Sequence, residues 1–261
     1  MPIGFEIYEQ SGKLQLSSDM LIYVLRVSGT TFVENVKVGN TCETSFRVPT
    51  TQTYANAMVA IGGGGGFAAA FAGTWGATGE RIFGTNAPVG TPFNYFVFER
   101  SSTYPATNFG IEVRRQSGEI VFSTNQRVMR VVQVLDLVGG NTAEANFPGK
   151  QLAWCQGAWA GHRIAGQLMM DQGGGGPIVV DPSTPEDPGD HGETRYYWNN
   201  DGKIYGGYLA NGGSTVRPAE ISYDDVQIGP TPDPTQPPDF ILPLKLFIVD
   251  VTGMPVGVQF Y

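Results

Sequence analysis

The sequence predicts an all-β fold: a β-sandwich core built on a repeated hairpin, followed by an extended, proline-linked C-terminal arm with a small β unit. Three observations carry this. A strand–turn–strand unit is written twice, since residues 4–18 read GFEIYEQSGKLQLSS and residues 110–124 read GIEVRRQSGEIVFST. Apolar and polar positions alternate with a period of two through much of the chain, the mark of half-buried strands. Charged residues make up only 15% of the 261 residues while glycine reaches 36 and proline 18, which favours short strands joined by many turns.

The repeat aligns without gaps. Gly4, Glu6, Gln10, Ser11, Gly12 and Ser17 meet Gly110, Glu112, Gln116, Ser117, Gly118 and Ser123, and Phe5, Ile7, Leu14 and Leu16 meet Ile111, Val113, Ile120 and Phe122. Ser-Gly supplies each turn, because glycine accepts a positive φ at no steric cost. Leu21 to Val27, Thr31 to Val38 and residues 41–48 read as further strands. Residues 54–61 are apolar and run into five glycines, Gly62 to Gly66, which cannot hold a regular element alone. Residues 67–76 read equally as a short helix or a buried strand, residues 93–99 alternate as a strand, and Val128 to Val138 is β-branched. In 139–176 the pattern is less regular, and HRIAGQLMMD reads as one or two helical turns. Residues 194–209 read as a hairpin turning at Asp201-Gly202. The apolar end contains Phe247 to Gly253, a loose third echo of the hairpin frame.

These elements divide the chain into a unit at 1–105 with the first hairpin and a unit at 106–180 with the second, packed as one domain or standing apart. A proline- and acid-rich linker follows at 181–193, then a small aromatic β unit at 194–228, a second proline linker at 229–239 and a terminal strand or arm at 240–261. Cys42 and Cys155 fit no metal-ligand spacing and read as buried free thiols.

Several function classes lose support. The net charge of −8, with scattered Lys and Arg, offers no basic face to a nucleic acid. The opening MPIGFEIYEQSG lacks the basic and apolar regions of a signal peptide, and no apolar run is long enough for a membrane span. Synthesis in a cytoplasm without classical export is therefore expected. The glycine runs match neither a P-loop nor a dinucleotide fingerprint, and read as close packing or an apolar loop at a contact. His162 and His191 have no ligand cluster or nucleophile elbow beside them. Asp224-Asp225 would point to opposite faces of a strand, and Glu6 and Glu112 recur at equivalent scaffold positions. Catalytic residues, metal ligands and cofactors are thus expected to be none. The best candidate contact surface, for a receptor or another subunit, is the cluster Tyr196, Tyr197, Trp198, Tyr205 and Tyr208, whose rings give large contact area at low entropic cost. Core packing of a small β unit is the competing explanation.

At the repeated hairpin the chain resembles small β-rich structural proteins of tailed-bacteriophage tail tips, baseplates and fibres. The residues that carry the resemblance are Gly4 to Ser18 followed by Leu25-Arg26-Val27, and Gly110 to Thr124 followed by Met129-Arg130-Val131. Counted from Gly4 to Val27 and from Gly110 to Val131 they span 46 of the 261 residues, and they have no catalytic content. The resemblance implies a virion component that joins other phage tail proteins, forms a homo-oligomer with a trimer favoured, and meets a bacterial surface receptor. If each copy nucleated its own domain, a trimer would present six like units. A receptor-binding adhesin using the Tyr/Trp cluster is the second reading, and a polysaccharide depolymerase, which lacks an acid pair, the third.

Overall fold

The computed structural model describes residues 6–8, 14–17, 22–37, 42–50, 57–75, 79–101, 110–115, 117–137, 143–156, 161–171, 178–179, 195–229, 240–242 and 244–259. For 6–8, 14–17, 75, 137, 161–171, 178–179, 195–203, 222–229 and 240–242 it describes the backbone only. The fold is almost all β, and two large antiparallel sheets form a sandwich-like arrangement. No helix among the described residues is long and apolar enough to cross a membrane.

The smaller sheet has six strands. In chain order they are β3 (Tyr23–Phe32), β5 (Met58–Gly63), β8 (Pro92–Arg100), β11 (Val131–Leu137), β13 (Leu152–Gln156) and β19 (Leu244–Asp250). They lie in the order β11-β19-β13-β5-β8-β3. The larger sheet has nine: β4 (Thr44–Val48), β6 (Ala69–Trp75), β7 (Glu80–Thr85), β12 (Ala145–Asn146), β14 (Gly161–Asp171), β15 (Ile178–Val179), β16 (Arg195–Ala210), β17 (Thr215–Gly229) and β18 (Phe240–Leu242). Its main path is β12-β17-β16-β6-β7-β4, with β14 also on β16 and pairing β15 and β18.

The two copies of the repeat fold as two separate two-stranded sheets, β1 (Glu6–Tyr8) with β2 (Leu14–Ser17) and β9 (Glu112–Arg114) with β10 (Ile120–Ser123). Their registers are the same residue for residue. Glu6, Ile7 and Tyr8 face Ser17, Leu16 and Leu14, and Glu112, Val113 and Arg114 face Ser123, Phe122 and Ile120. Both skip one residue at the same place, Gln15 in one copy and Val121 in the other. In the second copy Gly118 takes φ 87 at the turn, as the Ser-Gly signal requires. Glu112 pairs with Arg114 at 2.6 Å, and Arg114 donates to the Gly118 carbonyl at 2.8 Å. The repeated glutamate therefore serves the hairpin in this copy.

Each hairpin is followed by a strand at an edge of the smaller sheet, β3 after the first and β11 after the second. These edges are drawn together. Val24 bridges Val128, with Leu25 N–H on the Arg127 carbonyl at 2.7 Å and Met129 N–H on the Tyr23 carbonyl at 2.8 Å. Further along β3, Ser28 N–H donates to the Val258 carbonyl at 2.9 Å. The smaller sheet thus curls round a core of its own, made by Leu25, Ala60, Phe96, Phe98, Ala153, Cys155 and Val249. Its other face packs on the larger sheet through Val59, Ile61, Phe93, Tyr95, Val97, Trp154, Leu246 and Ile248. With both faces buried, β5, β8 and β19 read as nearly unbroken apolar runs. Since both copies feed one sheet, the picture of six like domains in a trimer gains nothing from the fold.

The inter-sheet core is aromatic at its centre. Phe46 stacks between Phe83 and Phe93, at 5.3 and 4.4 Å between ring centroids, and Phe83 meets Trp154 edge-on at 6.1 Å. A third cluster, Cys42, Ala68, Ala70, Ile204 and Ile221, sits apart from both. Cys42 and Cys155 are buried, as expected, and lie in different clusters with no disulfide between them.

Three local expectations are corrected, and the open choice at 67–76 falls to the strand. Where two strands are expected, at Leu21 to Val27 and Thr31 to Val38, there is one, β3 from Tyr23 to Phe32, which runs through Gly29 under the Tyr95 ring of the opposite strand, and Val33 to Lys37 lie beyond its end. HRIAGQLMMD is strand β14, not helical turns, because it pairs the edge of β16 from Arg195 to Ile204 and tertiary pairing overrides weak helix spacing. Residues 69–75 are strand β6. Asp201 and Gly202 lie inside β16, and the hairpin turns at Asn211–Gly213 instead. The terminal strand β19 lies between β11 and β13 with both edges paired in this chain, so it has no free edge to add to a neighbour. The echo at Phe247 to Gly253 is the end of this strand and a turn, without a hairpin partner of its own. Both proline linkers at 181–193 and 230–239, the glycine run at 173–176, the first hairpin's turn and His191 lie outside the described residues.

Candidate functional site

Two glycine turns face each other at one end of the sandwich. In the first, Gly65 takes φ 60, ψ 22 and Gly66 φ 91, with Phe67 N–H on the Gly64 carbonyl at 3.0 Å. In the second, Gly212 takes φ 65, ψ 24 and Gly213 φ 93, with Ser214 N–H on the Asn211 carbonyl at 3.4 Å. Both are type I′ turns, which need two successive positive φ values and so select glycine. The first carries the chain from the smaller to the larger sheet; the second closes the β16–β17 hairpin.

A third wall comes from the segment after β19. Asp250 holds it: its carboxylate accepts Thr252 N–H at 3.0 Å and meets Lys150 Nζ at 3.0 Å and Arg130 at 3.6 Å. Gln151 N–H donates to Thr252 Oγ1 at 2.8 Å, and Met254 N–H to the Val251 carbonyl at 2.9 Å. Ser28 Oγ donates to the Pro255 carbonyl at 2.7 Å and ties the segment to β3.

Between these walls lies a cleft of about 470 Å³. Its apolar lining includes Phe96, Leu152, Leu209, Val251, Met254 and Val256. Its polar side chains are three carboxamides, Asn94, Gln151 and Asn211. Asn94 Oδ1 accepts Thr30 Oγ1 at 2.9 Å, Asn211 Nδ2 donates to Thr215 Oγ1 at 3.0 Å, and Gln151 Nε2 reaches the Gly212 carbonyl at 3.5 Å. The opposite end of each amide, Asn94 Nδ2, Gln151 Oε1 and Asn211 Oδ1, bonds no described residue. No described lining residue is ionisable, so among the described residues its walls hold no acid, base or nucleophile. Among the described residues no three His, Cys, Asp or Glu side chains gather as a metal site. Burial pushes the Cys155 thiol up to about 12, far from a reactive thiolate, with a Val59 backbone bond and the Arg81 charge opposing the rise.

The five aromatics expected as a contact surface are all on β16. They span Tyr196 to Tyr208, about 40 Å of extended strand. Tyr205 is half-buried against the inter-sheet core, and Tyr208 packs on the Ile204 and Ile221 cluster. The Tyr208 hydroxyl and the Glu144 carboxylate, the latter at 2.6 Å, both meet Arg217 and raise its pKa further. Tyr196, Tyr197 and Trp198 sit opposite Met170, Met169 and Leu168 of β14 in register; their side chains lie outside the described residues, as does that of His162. The sequence reading did not single out Asn94, Gln151 or Asn211. The one signal for the cleft was the glycine run at 62–66; Gly212-Gly213 was not singled out either, and the meeting of the two turns is a tertiary fact. In comparisons with known proteins, the chain matches no family model, no curated protein and no solved structure.

Proposed function

We propose that this chain is a structural component of a bacteriophage virion, placed in the tail tip, baseplate or fibre-attachment complex, and that it works by assembling with other tail proteins. The observation that supports this reading is the twice-used hairpin frame. Both copies keep one register and one bulge position, and each feeds an Arg-Val strand at an edge of the same sheet. That frame is the part of the sequence that resembles tail-tip and baseplate proteins. The low charge content fits a surface that meets protein over much of its area. The reading assigns no catalytic step, and takes a homo-oligomer, with a trimer favoured, as the assembled state.

Light scattering on the purified chain tests it, with mass spectrometry of purified tailed particles produced from a genome encoding it. An oligomer in solution and peptides of the chain in the tail fraction are expected. A monomer at micromolar concentration that is absent from particles would refute the reading. The second reading, a receptor-binding adhesin, draws support from the uncharged described walls of the cleft.

A further inference from the structure

We propose that the cleft between the Gly64–Phe67 and Asn211–Ser214 turns binds a neutral saccharide, a hexose or a short uncharged glycan stretch. The inference rests on the cleft alone and stands whether or not the chain is a virion part. At about 470 Å³ the space is in the range of small-ligand sites. Its described lining carries no charge, so a charged ligand would be desolvated against those walls without a counterion. Sugar hydroxyls both donate and accept. The cleft offers them a donor at Asn94 Nδ2 and acceptors at Gln151 Oε1 and Asn211 Oδ1. Met254, half-buried, and Val256, exposed, supply apolar surface for the C–H face of a ring.

Two other ligand classes fit less well. An extended peptide needs a strand edge to pair with, and the facing walls here are type I′ turns at positive φ. A flat aromatic ligand needs a ring to stack on, and Phe96 is only 3% exposed. The glycines serve the saccharide case directly, since without side chains they let a ring approach the backbone.

The test is saturation-transfer NMR and calorimetry on the full chain. The probes are methyl glycosides of glucose, galactose, mannose and N-acetylglucosamine, with glucuronate and a Gly-Ser tetrapeptide as controls. Saturable binding of at least one neutral glycoside is expected, with a Kd of about 1 mM or tighter. Gln151→Ala and, separately, Asn94→Ala should each weaken it about tenfold, with the melting temperature shifting by about 2 °C or less. Three results would overturn the proposal: no saturable neutral glycoside, tighter binding of glucuronate or the peptide, or neutral-sugar binding that both variants leave unchanged.

Discussion

Gly206 has no room for a side chain. A Cβ there would run into the Ala69 carbonyl and the Ala70 Cα, backbone atoms that cannot rotate away. The site adjoins the single register pair, Gly207 with Ala69, that joins β16 to β6. Gly206→Ala must push those strands apart, and should cost about 3 kcal/mol or more in denaturant unfolding. Gly90→Ala is the control: a Cβ meets nothing within 4 Å there, so only its φ of 87 opposes the change, at about 1–2 kcal/mol. Equal losses in the two variants would show that the close approach does not matter. Asp250 makes a second prediction of this size. Burial is the largest influence on its carboxyl and raises the pKa, but the Thr252 bonds with Lys150 and Arg130 together outweigh it, and the net shift is downward. A lowered folded pKa means that Asp250 stabilises above the unfolded carboxylate value and loses that contribution as pH falls through the folded one. Asp250→Asn should therefore cost about 1–3 kcal/mol near neutrality, and the gap to the parent should close as pH drops below about 4. Thermal melts from neutral to acid pH read this directly, and a gap constant across the range would exclude the role given to the carboxylate.

Among the elements, hairpins and central strands were legible because their information is local. Alternation sets the face, and a Ser-Gly turn sets the register that β9 and β10 adopt. The β16–β17 turn was misplaced for a reason of the same kind. Asp201-Gly202 and Gly212-Gly213 are both good type I′ signals, and local chemistry cannot choose between them. The choice falls to β16's length, which β14, β6 and β17 all need as a partner. The helical reading of β14 failed likewise, because its strand state is supplied by β16. The turn itself can be tested. Asn tolerates the left-handed region that Gly212 occupies at φ 65, and a Cβ there meets nothing within 4 Å. Gly212→Asn should leave stability within about 0.5 kcal/mol, whereas the β-branched Gly212→Val should lose about 1–2 kcal/mol. Two variants of equal stability would mean that the turn does not hold this conformation in solution.

At the scale of the molecule, the features hardest to read were those made by distant segments. The cleft joins turns of different sheets, at Gly64–Phe67 and Asn211–Ser214, with the segment after β19. The glycines were visible, but nothing local says that they meet. The seam of the smaller sheet is equally non-local, since Val24 and Val128 follow different copies of the repeat. Such closure links the cores. The smaller sheet gives one face to its own cluster and the other to the larger sheet, so neither sheet can leave without exposing the core they share. Unfolding should then be a single transition, and the two cysteines can report on it from opposite sides. Cys155 lies inside the curled sheet, Cys42 in the Ile204 and Ile221 cluster, and Trp154 in the core between the sheets. In the native state neither thiol should react with an aromatic disulfide reagent, because both are buried and the Cys155 thiol is held up at about 12. Across a urea series, brief labelling of each thiol and the tryptophan fluorescence change should share one midpoint, within about 0.2 M. Single-cysteine variants, Cys42→Ala and Cys155→Ala, assign the thiol signals. Labelling of Cys42 at a clearly lower urea concentration than Cys155 would mean that the larger sheet opens alone, and that the shared core does not bind the two sheets into one cooperative unit.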